Sequence, residues 1–421
     1  MLIEFRVANH RSLRDEQVLT MEAGRVGDEA DPRPRYVSGH SETFLTVTGL
    51  YGANASGKSN VLAALAFMRE AVLRSQRFWS PDEGLPRDPF AWGPKRVKPS
   101  LFEVTLLLDD VRFQYGFVAS DECFLEEWLY AWPHGKKQVW FERDNSTYKF
   151  GENLKGENKL IVDVTRPNAL FLSAAAQHNH PQLQPIFSWF RAVRVINLSL
   201  GRRPFPPRWP TEFVLAQLLD DDTSDTHQRT LWEESPELLL ERFRNLLKSA
   251  DIGIVDLRAE KSESDDIPRR LIYLKHKSEF DNAWLPLREE SHGTRTLFNI
   301  ALPMLQVIEE GGILLVDELE RSLHPSLARQ IIRQFNDPGT NPRNAQIIFS
   351  THDTNLLGTT LGEPALRRDQ VWLTEKDPEG GTVLYPLTDY KPRKAENLER
   401  GYLQGRYGAI PFLGDFLVAE E

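Results

Sequence analysis

The eight residues Gly52-Ala53-Asn54-Ala55-Ser56-Gly57-Lys58-Ser59 constrain this chain more than any other segment. They satisfy the pattern G-x-x-x-x-G-K-[ST], with a β-forming run, Phe44 to Leu50, on one side and a helical pattern on the other. From Lys58 to Ser75 the apolar residues Val61, Leu62, Leu65, Met68 and Val72 recur at the spacing of one helical face. Strand, glycine loop, helix is the context the pattern requires. Gly52 and Gly57 let the backbone curl so that its N–H groups converge on an anion, and the helix N-terminus adds partial positive charge. Lys58 is expected to reach the β and γ phosphates of a nucleotide and Ser59 to ligate Mg²⁺. The residues from Gly52 to Ser59, with Asn60 after them, are the candidate phosphate-binding residues.

Around this loop the texture changes several times. Leu2 to Val7 and Val18 to Glu22 are β-like. Residues 77 to 100 hold five prolines and little periodicity, and predict a long surface connection. Between about 101 and 170, LFEVTLLL, VRFQYGFVA, FLEEWLYAW, KQVWFER and STYKFG are separated by short turns, which predicts an antiparallel meander. From about 181 to 260 the chain reads as mostly helical, with PELLLERFRNLLKSA the clearest stretch and PFPPRWP at 204 to 210 a break. The heptads do not persist, so no long coiled-coil arm is expected. After 265 an α/β texture returns. The expected organisation is an N-terminal core part at 1–75, an inserted β lobe with connections at 76–180, a helical insertion at 181–265, and a C-terminal core part at 266–421.

Gly312-Ile313-Leu314-Leu315-Val316-Asp317-Glu318 is an apolar strand ending in two carboxylates, as a buried parallel strand does at its active edge. Asp317 is expected to hold Mg²⁺ through water, and Glu318 to polarise the water that attacks the γ phosphate. Downstream come Glu320-Arg321-Ser322-Leu323-His324-Pro325 and Phe349-Ser350-Thr351-His352-Asp353; upstream, Glu290-Ser291-His292-Gly293-Thr294 opens a helix with the apolar face Leu297, Ile300, Met304 and Ile308. Pro303 lies inside that helix and predicts a kink.

Together these motifs resemble the D-loop, switch histidine and signature of ABC-type ATPases. With Asn9-His10-Arg11-Ser12 and the D-E-x-E-x-x-L-H-P form, they are similar to the soluble RecF/SMC/OLD branch, and most similar to the RloA-like ATPases of phage-defence and restriction-associated loci. The resemblance implies an α/β fold: an ABC-type P-loop ATPase core with an inserted antiparallel β lobe and a helical insertion. It implies ATP and Mg²⁺ as ligands, with Lys58, Glu318 and His352 catalytic, and Ser59, Asp317 and Gln177 at the metal. It places Asn9 and Arg11 near the base or phosphates. Ser291, Gly293 and Thr294 would meet the γ phosphate held by a second subunit, so a homodimer or larger homo-oligomer is expected. The implied role is ATP-driven control of a separate effector, such as a TOPRIM-like nuclease, in bacterial defence. About 70 residues follow His352, too few for a complete TOPRIM domain. The competing expectation is a RecF/SMC-like repair ATPase acting directly on DNA. A transporter subunit is disfavoured by the long stretch between the loop and the signature.

Charge and cysteine content narrow the partners. With 51 Lys and Arg against 61 Asp and Glu the net charge is −10, which argues against holding nucleic acid by bulk attraction. The single cysteine, Cys123, cannot close a disulfide within the chain, and neither a membrane span nor a signal peptide is legible, so a cytoplasmic location is expected. His178-Asn179-His180 lacks the ligand count of a zinc site. Asp220-Asp221-Asp222 reads as a solvated loop, and the glycine- and aromatic-rich tail after Lys391 as packing against a sheet.

Overall fold

The computed structural model describes residues 1–26, 30–198, 211–219, 236–250, 253–261, 270–393 and 396–411. In chain order the strands are β1 (Leu2–Ala8), β2 (Gln17–Thr20), β3 (Arg35–Tyr36), β4 (Thr43–Phe44), β5 (Val47–Gly52), β6 (Ser100–Leu108), β7 (Val111–Ala119), β8 (Phe124–Trp132), β9 (Gln138–Asp144) and β10 (Thr147–Phe150). They continue with β11 (Val193–Ile196), β12 (Ile254–Lys261), β13 (Arg270–His276), β14 (Trp284–Pro286), β15 (Ile313–Val316), β16 (Gln346–Ser350), β17 (Val371–Lys376) and β18 (Thr382–Pro386).

All six residues of β5 are buried, which requires a central strand covered on both faces. It lies in a six-stranded sheet of order β11-β15-β16-β5-β17-β18, parallel throughout except for the antiparallel edge strand β18. Side chains alternate across this sheet. Ile313, Leu315, Ile348 and Leu50 join one hydrophobic core, while Leu314, Val316, Ile347, Phe349, Val47 and Tyr51 join the other. The first core also holds the helix Lys58–Arg74 and the inner face of the meander; the second holds the helices Pro236–Ser249, His292–Glu310 and Pro325–Asn336.

Three expectations are refined. The helix Lys58–Arg74 is buried almost all round rather than along one face, because it is sandwiched between two sheets. The meander is not a free-standing sheet: β6 pairs antiparallel with β1, giving one seven-stranded sheet of order β10-β9-β8-β7-β6-β1-β2. The largely helical region contains β11, which pairs in parallel with β15 at the sheet edge. The helix His292–Glu310 runs through Pro303, whose i−4 partner Asn299 is exposed and can give its freed carbonyl to water. PFPPRWP and Asp220–Asp222 lie outside the described residues, as does Lys394 in the tail. In the described part of the tail Tyr402 and Tyr407 are buried, and Tyr402 packs edge-on against Tyr51 of β5. No helix among the described residues is long and apolar enough to cross a membrane.

One side chain ties the two large sheets together. Gln346 of β16 is fully buried and accepts from the Leu2 N–H of β1, while its amide donates to the carbonyls of Leu2 and Leu45, both at 2.9 Å. Gln346→Leu keeps the volume but strands three backbone groups away from water. It is expected to cost about 2–4 kcal/mol of stability, read from urea unfolding, because unmade buried hydrogen bonds carry their full desolvation penalty.

Candidate phosphate-binding site

Parallel register brings the chemistry to one edge. Val316 lies beside Phe349 and Phe349 beside Gly49, so the segments after β15, β16 and β5 emerge together at the C-terminal end of the sheet, where α/β folds bind ligands. The loop after β5 leads to a helix whose N-cap, Gly57, has φ 113° and makes no side-chain cap. The Asn60 N–H turns back to the Gly57 carbonyl, and the N–H groups of Lys58 and Ser59 meet no capping side chain, the arrangement that suits an anion. A Cβ on Gly57 would lie 2.1 Å from Thr382 Oγ1, so glycine is required by space as well as by conformation. Lys58 Nζ donates to the carbonyls of Gly52 at 2.9 Å and Ala53 at 3.1 Å. Burial pulls its pKa down to about 8, against the opposing pull of Glu320, Asp317 and Glu318.

Asp317 is the meeting point of the site. Its Oδ1 accepts from Ser59 Oγ at 2.8 Å and from Ser350 Oγ at 2.6 Å, and Ser350 Oγ accepts in turn from the Glu318 N–H at 2.8 Å. Glu318 sits in the left-handed region, φ 52°, which turns its carboxylate out of the strand direction. A serine hydroxyl and a carboxylate are hard oxygen donors, and one or two such protein ligands are what Mg²⁺ takes beside a phosphate, so Ser59 and Asp317 fit that ion. His352, after β16, receives its position from its backbone N–H, which donates to Glu320 Oε1 at 2.7 Å. Desolvation and then the charge of Lys58 lower its pKa.

Ser291 caps the helix His292–Glu310 by accepting from the Thr294 N–H at 3.1 Å, and its Oγ lies 2.9 Å from the Thr294 hydroxyl. Gly293 is pressed against the 317–324 segment, where its Cβ would lie 2.8 Å from the Ser322 carbonyl. These three residues take no part in the Lys58–Asp317 network of their own chain. Gln177 ends the helix Phe171–Gln177 and is exposed, without a hydrogen bond to Ser59 or Asp317. Nearby, His180 is occupied by Asn158 and by the Leu183 N–H.

The side chain of Asn9 is committed to the fold around it. It is 2% exposed; its amide donates to the carbonyls of Lys95, Lys98 and Pro99, and its carbonyl accepts from the Phe90 N–H. It thereby fastens the proline-rich connection to the N-terminal turn. His10 anchors the same turn, stacked on Phe67 and edge-on to Phe102; burial, then Arg11 and Arg87, pushes it down to about 3, so it is neutral. Arg11 lines a pocket of about 760 Å³ together with Ser12, Asn60, Phe90, Trp92 and Arg96. Asn60 places that pocket against the first turn of the helix Lys58–Arg74.

Sequence reading missed Ser350, Thr374, Thr382 and the aromatic wall of the pocket. Ser350 was within reach, two residues before His352. Thr374 and Thr382 follow the loop by more than 300 residues, and no local spacing announces them.

Three solved structures are similar over nearly their whole length. The SMC head domain from Thermotoga maritima has 12% identity and TM-score 0.39, covering 91% of this chain and 98% of that one. An SmcHead bound to the C-winged helix domain of ScpA has 12% identity and TM-score 0.45, covering 92% and 99%. An Smc head domain with an extended coiled coil, bound to the C-terminal domain of ScpA derived from Pyrococcus furiosus, has 12% identity and TM-score 0.38, covering 93% and 97%. No curated protein sequence matches the chain. The family described as "AAA domain, putative AbiEii toxin, Type IV TA system" matches residues 47–358, from the first residue of β5 to beyond His352. With well over half of its length matched, and the phosphate loop, acidic strand and His352 within the match, the chain belongs to this family of P-loop ATPase domains.

Proposed function

We propose that this protein binds ATP with Mg²⁺, hydrolyses it, and uses the cycle to close and open a dimer that controls a separate effector in bacterial defence. The observation that carries this reading is the chain of hydrogen bonds Ser59–Asp317–Ser350–Glu318 beside Lys58. It joins a phosphate loop, a metal ligand pair and a candidate base at one sheet edge. The triphosphate would lie along Gly52–Ser59, with the base in the pocket lined by Arg11, Phe90 and Trp92. Mg²⁺, held by Ser59 and Asp317, would supply charge neutralisation at the phosphate oxygens.

The chain's own residues divide the remaining work. Lys58 exchanges its bonds to the Gly52 and Ala53 carbonyls for the β and γ phosphates. Glu318 accepts a proton from water as the water oxygen bonds to the γ phosphorus and the bond to the β-phosphate oxygen breaks, releasing ADP and phosphate. His352 donates to the γ phosphate. Ser291, Gly293 and Thr294 would act on the γ phosphate of a second copy, which agrees with their absence from the network of their own chain and makes the active species at least a dimer. The family description names a toxin of a type IV toxin–antitoxin system, which supports a role in growth control or defence. In this reading the protein is cytoplasmic and its effector is a TOPRIM-like nuclease or a comparable toxic enzyme, with RloA-like ATPases as its functional parallels.

Two outcomes test the site. Glu318→Gln is expected to retain ATP binding and to lower turnover by at least about 100-fold, the usual worth of a general base, with a dimer accumulating in size-exclusion chromatography with ATP. Unchanged turnover removes Glu318 from the role. The second outcome concerns Lys58. Its pKa in the ligand-free protein is about 8, and a bound triphosphate favours the charged form. As pH rises through 8 the free protein loses this proton and the bound protein keeps it, so affinity falls with rising pH. At pH 8, ATP binding takes up roughly half a proton, measurable by calorimetry in buffers of different ionisation enthalpy. Lys58→Met abolishes the uptake and most of the binding.

A further inference from the structure

The hairpin β17–β18 carries two threonines on the same face, Thr374 and Thr382, diagonal neighbours in its register. Both are buried and both press against glycines of the phosphate loop: a Cβ on Gly52 would meet Thr374 Oγ1 at 2.4 Å, and one on Gly57 would meet Thr382 Oγ1 at 2.1 Å. Thr382 does more than fill space. Its hydroxyl donates to the Ser56 carbonyl at 2.8 Å and lies 2.7 Å from Ser12 Oγ, which accepts from Asn60 Nδ2 at 2.6 Å. Proton counting fixes the directions. Thr382 has one hydroxyl proton and spends it on Ser56, so Ser12 donates to Thr382 and Asn60 donates to Ser12. The result is a single donor chain from Asn60 through Ser12 and Thr382 to the carbonyl of Ser56.

We infer that Thr382 is a positioning residue that sets which way the phosphate loop faces. In a trans peptide the C=O and the following N–H point in opposite directions. Holding the Ser56 carbonyl on the hairpin side therefore aims the Gly57 N–H away from the hairpin, toward the side where an anion binds. Without that hold the peptide plane can turn, and a carbonyl dipole replaces an N–H at the phosphate. The same hairpin also buttresses the neighbouring pocket: Trp92 Nε1 donates to the Glu379 carbonyl at 3.1 Å, and Gly380, with φ 81°, leaves room for the Trp92 ring. Residues far from the loop in sequence thus shape both its phosphate side and the adjoining pocket wall. The inference rests on reading the loop as an ATP site.

The test uses the full chain with a fluorescent ATP analogue for binding and phosphate release for turnover. Thr382→Val keeps the shape and removes the hydroxyl; it is expected to raise the dissociation constant and KM about tenfold with kcat changed less than about twofold, the pattern of lost uniform binding. Thr382→Ser, which restores the donor, is expected to return within about twofold of the original protein. Ser12→Ala, which breaks the chain one step earlier, is expected to weaken binding about threefold and serves if Thr382→Val does not fold. Binding by Thr382→Val equal to that of the original protein overturns the inference, as does a Thr382→Ser variant as impaired as Thr382→Val, which would leave only a steric role. An original protein that binds the analogue no better than Lys58→Ala overturns the reading of the site, and this inference with it.

Discussion

The Asp317 carboxylate is the constraint around which the rest is arranged. It sits at the end of a strand whose four residues are all buried, and its Oδ1 accepts from a serine on the first turn of the phosphate-loop helix and from a serine at the end of β16. Those partners lie 258 and 33 residues away in the chain. Two neighbouring elements present hydroxyls to a carboxylate on a third because β15, β16 and β5 share both direction and register, which a parallel sheet covered on both faces enforces. The alternating contribution of β15 to two separate cores is the packing side of the same fact: a one-residue slip would exchange the faces and withdraw Asp317 from the edge.

What was legible in the sequence was what local spacing encodes. The phosphate loop is contiguous, its flanking strand and helix are patterned at periods of two and 3.6, and the apolar run before Asp317 announces a buried strand without reference to anything else. The turn-separated strands of the meander were legible for the same reason. Their attachment was not, because pairing of β6 with β1 depends on a contact across about a hundred residues that no window contains. β11 escaped notice because four residues with two buried positions, flanked by helical texture, carry too short a period to tell strand from helix. Gln346 reads as a polar start to a strand, and only the approach of β1 turns it into a fastening between sheets.

The site divides along the same line. Lys58, Ser59, Asp317 and Glu318 stand in motifs whose spacing reflects their chemistry, and the fold brings all four together. Asn9 also stands in a motif, but its amide is consumed by the connection at 90–99, whose short helical turn, Pro94–Val97, shares the Lys95 carbonyl between the Lys98 N–H and Asn9. The positively charged neighbour Arg11 and the aromatic pair Phe90–Trp92, with ring centroids 4.6 Å apart, then face a common pocket. A loop rich in proline and poor in periodicity can supply a binding wall only when something fixes it, and here buried polar side chains from the N-terminal turn and the backbone of the β17–β18 hairpin do so.

The segment from Asp317 to His324 runs from the Asp317 network to the start of the helix His292–Glu310. Both Glu318, φ 52°, and Ser322, φ 60°, adopt left-handed backbone, and each costs of order 1 kcal/mol that surrounding contacts must offset. At one end the Leu319 N–H is held by the Ser350 carbonyl and the Glu318 N–H by the Ser350 hydroxyl. At the other, the Ser322 carbonyl lies against Gly293, leaving no room for a side chain between the segment and the start of the helix His292–Glu310. His324 then caps the next helix by accepting from the Ser326 N–H. A chain segment so short, fixed at both ends and already strained, has no slack with which to absorb a displacement of Glu318. Glu318 and the start of the helix His292–Glu310 are thus joined by one held segment of backbone.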